Sequence, residues 1–259
     1  MSVNLGIPSL KGKVTDAEWQ LRCDLAAAYR LVDEFGWSDL VFTHISARIP
    51  GPDHHFLINP YGMLFEEITA SSLVKIDLQG QVVGTSPYPV NPAGFTIHSA
   101  IHEVRHDASC VMHLHTLDGT AVSTDPQGLL PLNQTAQLVC EHLAYHDYEG
   151  VALDHAERPR LQQDLGDKDM MLLRNHGTLV VGRSCADAFL KMYFLERACS
   201  MQARTLSMMR ADQTYRTQAS VIEKNAALMQ GPGSKDLAEK LMWPALMRKL
   251  QRNCPDFAN

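Results

Sequence analysis

Two of the chain's twelve histidines stand one residue apart, in Val111-Met112-His113-Leu114-His115-Thr116. In an extended strand, residues i and i+2 face the same side. His113 and His115 would then offer two imidazoles about 7 Å apart at the Cα level, close enough to converge on one metal ion. His176, in Arg174-Asn175-His176-Gly177, is a third candidate, because a glycine beside it permits a tight turn that aims the ring. Three histidines with an open fourth position make a catalytic-type metal site. The spacing is equally that of strand histidines hydrogen-bonded within a core, so both readings stand at this point.

A second pattern, His102-Glu103-Val104-Arg105-His106, matches the H-E-x-x-H of zinc proteases. That chemistry needs both imidazoles on one face inside a helix. His106 falls at the expected helix end, just before Asp107. His98, His102 and His106 form an i, i+4, i+8 row, which reads more simply as a polar helix face.

The elements that must position these residues follow from periodicity. Thr15-Asp16-Ala17-Glu18 is a T-x-x-E capping box, and Leu21, Leu25, Tyr29, Val32 and Phe35 follow at helical spacing up to Gly36. Strands are expected over Leu40–Ile49, Phe56–Asn59, Val74–Leu78, Cys110–Thr116, Met170–Arg174 and Leu179–Gly182. Thr69–Val74 reads as a short helix, and Leu138–Tyr145 as a short strand or helix edge. Asn91-Pro92 opens a helix running to about Arg105. Further helices are expected over Arg158–Leu165 and from Ser184 through Leu206, with a weaker segment at Asp212–Gln230. Gly231–Ser234 reads as a linker. Asp236–Arg252 is amphipathic, with a break or kink at Pro244. Its Leu237, Leu241 and Leu250 need an apolar partner, either another subunit or the chain's own core. Mixed strands and helices without a strict βαβ rhythm indicate one α/β or α+β domain over residues 1–259. Its core spans about 15–210, with a helical appendage at about 211–259.

At 259 residues, with 45% hydrophobic and 20% charged side chains, the chain can bury a core without disulfides or structural metal. A net charge of −6 argues against a nucleic-acid partner and gives no polybasic handle for a membrane. No apolar run reaches the roughly 18–20 residues of a membrane span. The stretch MSVNLGIPSLKGKV lacks the apolar core of an export signal, so a cytoplasmic protein is expected. The six scattered cysteines read as reduced.

From about Leu40 to Gln202 the chain resembles the class II aldolase/adducin family. FTHISARIP, FLINPYGMLFEEITASSLVKIDLQG, NPAGFTIHSAI, AYHDYEG and LLRNHG resemble the adducin head domain and its bacterial relatives. The family's H-x-H falls on His113 and His115, and its N-H-G on Asn175-His176-Gly177. The resemblance implies a three-layer α/β/α fold on a mainly antiparallel central sheet, with C-terminal helices. It also implies one divalent metal ion per subunit on His113, His115 and His176: zinc first, with iron, manganese, nickel or cobalt as alternatives. It further implies a homo-oligomer, a cyclic tetramer by first choice. On this alignment the H-E-x-x-H is incidental.

The same alignment exposes departures. Family aldolases use a metal as Lewis acid and a glutamate, in a P-S-S-E stretch, to move protons. The corresponding residues here are Asn91-Pro92-Ala93-Gly94, so Gly94 replaces the glutamate, and Pro92 and Ala93 the phosphate-holding serines. The G-N pair of the phosphate loop is Thr43-His44, and the T-P-x-G turn is Asn59-Pro60-Tyr61-Gly62. Candidates to move protons instead are His44, Tyr61 and Tyr145, with His142 and His146 behind them. The implied activity is a metal-dependent lyase for a small carbonyl compound other than a ketose 1-phosphate. The alternatives are a non-catalytic adducin-like scaffold, or an Fe(II) oxygenase or decarboxylase on the same fold.

Overall fold

Thr15 opens helix α1 (Asp16–Glu34) by accepting a hydrogen bond from the Glu18 N–H at 3.2 Å. The reciprocal half of the expected capping box does not form. The Glu18 carboxylate is drawn inward to Arg22 at 2.9 Å and Lys75 at 3.0 Å, since a buried carboxylate needs charged partners. Gly36 follows the helix at φ +69°, the left-handed position glycine fills without strain. This computed structural model describes residues 6–151 and 154–259, and all their side chains except those of Ala93 and Gln230. Met1–Leu5, part of the stretch without an export-signal pattern, lie outside the described residues.

After α1 come β1 (His44–Arg48), β2 (Phe56–Ile58), β3 (Val74–Ile76), α2 (Pro92–Val104) and β4 (Cys110–Leu114). Then follow α3 (Leu117–Ser123), α4 (Gln134–Val139), β5 (Leu143–His146), α5 (Arg158–Leu165), β6 (Met170–Leu173) and β7 (Gly177–Gly182). The chain ends through α6 (Cys185–Met208), α7 (Ala219–Gln230), α8 (Pro232–Asp236) and α9 (Trp243–Asn253). The strands form one sheet in the order β3-β2-β1-β4-β7-β6-β5. Every neighbouring pair is antiparallel except β5 with β6.

Alternation along β4 sorts the two faces of the sheet. Cys110, Met112 and Leu114 pack with Leu25 and Leu31 of α1 and Phe189 and Leu195 of α6. Val111 points the other way, toward Ile97 and Ile101 of α2 and Leu161 and Leu165 of α5. The result is the three-layer α/β/α arrangement on a mainly antiparallel sheet.

Several boundaries differ from the sequence reading. Leu40–Phe42 is a turn, with Leu40 at φ +48° and the Phe42 N–H on the Asp39 carbonyl at 3.0 Å, so β1 starts only at His44. Thr69–Val74 is no helix. Thr69 and Ser72 hydrogen-bond each other's backbone N–H groups, at 2.9 and 3.3 Å, in place of a helical ladder. Helices α3 and α4 are too short to show a period, though each has an N-cap, Thr116 and Asn133. Leu138–Tyr145 divides between the end of α4 and β5. Gly231–Ser234 is not a linker, because Pro232 opens α8 in its first turn. At Pro244 the helical run continues. The proline falls in the first turn of α9, directly after a π-helical segment, Leu237–Met242.

The C-terminal segment packs on the chain's own α1. The Trp243 indole donates to Asp24 at 3.1 Å, Arg30 pairs with Asp256 at 3.1 Å, and Leu250 is fully buried. The N–H groups of Ala70 and Ser71 donate to the carbonyls of Phe257 and Asn259, both at 2.8 Å. Leu237 and Leu241 stay 39% and 66% exposed, so only one leucine of that stripe finds its partner within the subunit. Leu250→Ala should therefore destabilise the chain by about 2–5 kcal/mol, the cost of an emptied core site. Leu241→Ala should fall within about 0.5 kcal/mol in the free subunit. Urea unfolding of the two variants checks the contrast.

All six cysteines are free. Among the described residues no helix is long and apolar enough to cross a membrane.

Candidate metal centre

β4 lies between β1 and β7, with His113 opposite His44 on one side and Leu179 on the other. His115 sits just past the strand end. A three-residue turn, Arg174-Asn175-His176, joins β6 to β7. Asn175 takes φ +54°, which asparagine tolerates better than most residues. A Cβ at Gly177 would run into the Leu114 carbonyl oxygen, so glycine lets this turn lie against the end of β4. His113, His115 and His176 thereby each bring one ring nitrogen within 4.8 Å of the others.

The outer nitrogens of two of these rings are committed. His113 Nδ1 donates to the Thr178 carbonyl at 3.0 Å, and His115 Nδ1 donates to the Asp39 carboxylate at 3.0 Å. In the tautomer with the proton on Nδ1, each ring turns a bare Nε2 inward, and the two Nε2 atoms stand 3.0 Å apart. Two bare nitrogens at that distance repel, and either a shared proton or a metal ion between them relieves the repulsion. Burial holds His113 well below its ordinary range. Burial, followed by the charge of His115, pushes His176 down to about 4. Neutral imidazole is the metal-binding form. The half-exposed Tyr148 ring lies 6.3 Å from that of His176.

The H-E-x-x-H histidines part company. His106 is exposed beyond the end of α2. His102 is buried, stacked on Phe56 at 4.4 Å, and bonded to Ser46 and to the Ala108 carbonyl. The row expected to be a polar helix face is thus turned inward at His98 and His102, which bond to β1 across the sheet.

The other candidates separate clearly. His44 is buried, with its ring 5.1 Å from that of His113. Tyr145 faces the core: its hydroxyl accepts from the Leu129 N–H at 3.1 Å, and the Arg174 guanidinium covers its ring at 4.4 Å. Tyr61 lies in the turn after β2, its N–H on the Pro89 carbonyl, without ring contact to the three histidines. His146 is tied at both nitrogens, to Asp164 at 2.7 Å and Glu157 at 3.2 Å. His142 bonds the Ala226 carbonyl at 2.9 Å. Sequence reasoning missed Asp39, Ser46 and His98. The available signals were the His44/Ser46 alternation on β1 and the i, i+4 pair His98/His102 on α2.

Comparison with known proteins bears on the whole arrangement. Residues 23–203 match the family model described as Class II Aldolase and Adducin N-terminal domain. A Caulobacter vibrioides protein, named provisionally as a class 2 aldolase protein, is 56% identical over 251 residues, covering 97% of this chain and 96% of its own. Rat alpha-adducin is 50% identical over 190 residues, which are 72% of this chain but only 26% of the adducin. The crystal structure of an aldolase II superfamily protein from Pseudomonas syringae superposes with a TM-score of 0.90 at 46% identity, covering 97% of this chain and all of that one.

Proposed function

The chain belongs to the class II aldolase and adducin family, and on that premise we propose that it is a metal-dependent carbon–carbon lyase acting on a small carbonyl compound that carries no phosphate. The observation that carries this reading is the convergence of three histidine ring nitrogens within 4.8 Å, with the His113 and His115 Nε2 atoms 3.0 Å apart and each of those two rings fixed from behind by an acceptor. Such outer partners orient the ligands of a metal site. His113, His115 and His176 would hold the ion, and three imidazoles suit zinc first, with iron, manganese, nickel and cobalt compatible. When bound, the ion acts as a Lewis acid on the substrate's carbonyl oxygen.

The chain's own residues argue against a phosphate. Thr43 is fully buried, and Asn59, 2% exposed, accepts the Tyr29 hydroxyl at 2.9 Å. Gly94 supplies no carboxylate. The protein should accordingly show no useful cleavage of ketose 1-phosphates, since a missing general acid/base alone loses about 10²–10⁴-fold. Robust cleavage would overturn this. Gly94→Glu should not install the activity. Its Cβ would stand 2.7 Å from His44 Cδ2 and 2.9 Å from Cγ, so the variant should lose about 1–3 kcal/mol of stability to overpacking.

The adducin likeness favours a second reading, a scaffold that keeps the fold without catalysis. Metal analysis of the purified protein separates the two. A lyase should carry, or take up, one equivalent of zinc per chain and then act on one of a panel of hydroxyketones and 2-keto acids. A protein that takes up no metal is the scaffold, and oxygen consumption with Fe(II) would point instead to an oxygenase.

The reading includes a cytoplasmic homo-oligomer, a tetramer by first choice. It is supported by the family and by Leu237 and Leu241, which remain exposed. A concentration-independent monomer mass in light scattering would exclude the oligomer.

A further inference from the structure

We propose that His44 is the proton acceptor of this site, its Nε2 lone pair fixed by a chain of hydrogen bonds that ends on a backbone carbonyl. The substrate class, a hydroxycarbonyl compound, rests on the lyase reading above.

The chain begins at the Ala108 carbonyl, which can only accept, so His102 Nδ1 at 3.1 Å carries a proton. A neutral His102 then has a bare Nε2, which accepts the Ser46 hydroxyl at 2.7 Å. Ser46 has a single proton, so its oxygen accepts from His98 Nδ1 at 2.5 Å. His98 Nε2 is bare in turn and accepts from His44 Nδ1 at 2.8 Å. His44 Nε2 is left with its lone pair. All three rings and Ser46 are at most 3% exposed. Because the last group is a carbonyl, the chain orients the ring and does not conduct protons.

The position of Nε2 fits the role. It has no hydrogen-bond partner among the described residues. A Cβ at residue 94 would stand 3.1 Å from it, and glycine leaves that edge uncovered. The His44 and His113 rings lie 5.1 Å apart on directly paired strand positions. The other candidate bases nearby, His142, His146 and Tyr145, are engaged elsewhere.

The step is a proton abstraction next to a carbonyl. A C–H bond breaks and an N–H bond forms at Nε2. The electron pair moves into the carbonyl, giving the enediolate of the substrate and an imidazolium at His44. In D2O the imidazolium exchanges with solvent and returns a deuteron to carbon, restoring the neutral ring.

The test uses the zinc-loaded protein, dihydroxyacetone and D2O, with C–H exchange followed by proton NMR. His44→Asn keeps an amide donor where Nδ1 meets His98 and removes Nε2 with the outer ring carbon. It should slow exchange by about 10²–10⁴-fold while bound zinc stays at the wild-type level. Full exchange by that variant overturns the role of His44 and leaves the lyase reading standing. Absence of exchange in the wild-type protein with dihydroxyacetone and with every hydroxyketone of the panel overturns both. Independently of metal and activity, ¹⁵N NMR of the metal-free protein should show His44 Nε2 as an unprotonated nitrogen, with Ser46→Ala mixing the two tautomers. A protonated Nε2 in the wild type overturns the proposal outright.

Discussion

Zinc should wash out of the His113→Ala protein on gel filtration, where the wild-type chain retains one equivalent. His113 is the most buried of the three rings, with its Nε2 3.0 Å from that of His115 and its ring 4.7 Å from that of His176. Removing it leaves two donors, His115 and His176, too few for a tight site. The effect should exceed that of Asp39→Asn, which keeps all three ligands but weakens the acceptor behind His115. An outer partner of that kind accounts for roughly 10–100-fold in affinity. His115→Ala and His176→Ala should behave like His113→Ala. His106→Ala should leave the metal untouched, since that ring is exposed beyond α2. His102→Ala should also leave it, at the separate cost of about 1–3 kcal/mol for each buried partner it strands. Saturating zinc, at about a thousand times its Kd, should stabilise the wild-type fold by about 4 kcal/mol and none of the ligand variants. Tight, stoichiometric metal in the triple-alanine protein would remove the centre from His113, His115 and His176 altogether.

The convergence of His113, His115 and His176 was legible in the sequence because each depends on local geometry. A strand alternates by construction, so His113 and His115 must share a face, and Asn175-Gly177 marks the turn that delivers His176. What supports them was not legible. Asp39 reaches His115 only because Leu40 takes a left-handed turn where the β-prone run predicted a strand. The His98/His102 pair was visible as an i, i+4 repeat, but its partner Ser46 lies more than 50 residues away. Without the strand order, two histidines on a helix look like a solvated face. The same limit applies at the C-terminus. Periodicity showed an apolar stripe, and only the tertiary contacts show Leu250 buried on its own core while Leu241 stays exposed. Tyr145 was weighed as a pocket residue, although alternation along β5 already put it on the face opposite His146.

Acidification should unfold the metal-free protein well above the pH at which carboxylates alone would do so. His102 has its pKa pushed from 6.5 to about 3, chiefly by burial, and His176 to about 4. His44, His98 and His113 are lowered in the same direction, also by burial. Below pH 6.5 the unfolded chain takes up protons at these five positions while the folded chain does not. The stability they confer is therefore complete above about 6.5 and is lost as pH falls toward the folded values. Two carboxyls oppose the trend: burial raises Asp24, and raises Glu196 from 4.5 to about 7, so the folded state holds those protons first. Five histidines against two carboxyls leave a net uptake of protons on unfolding, each proton contributing about 1.4 kcal/mol per pH unit. Circular dichroism against pH gives the midpoint, and the pH dependence of urea unfolding gives the proton count. Zinc should move the transition to lower pH, because two of the five titrating rings would then be ligands that must first release the metal. A net release of protons on unfolding below pH 6.5 would mean that the buried histidine chain is already charged in the folded state. Its hydrogen bonds would then have to run in a different order from the one that leaves His44 Nε2 bare.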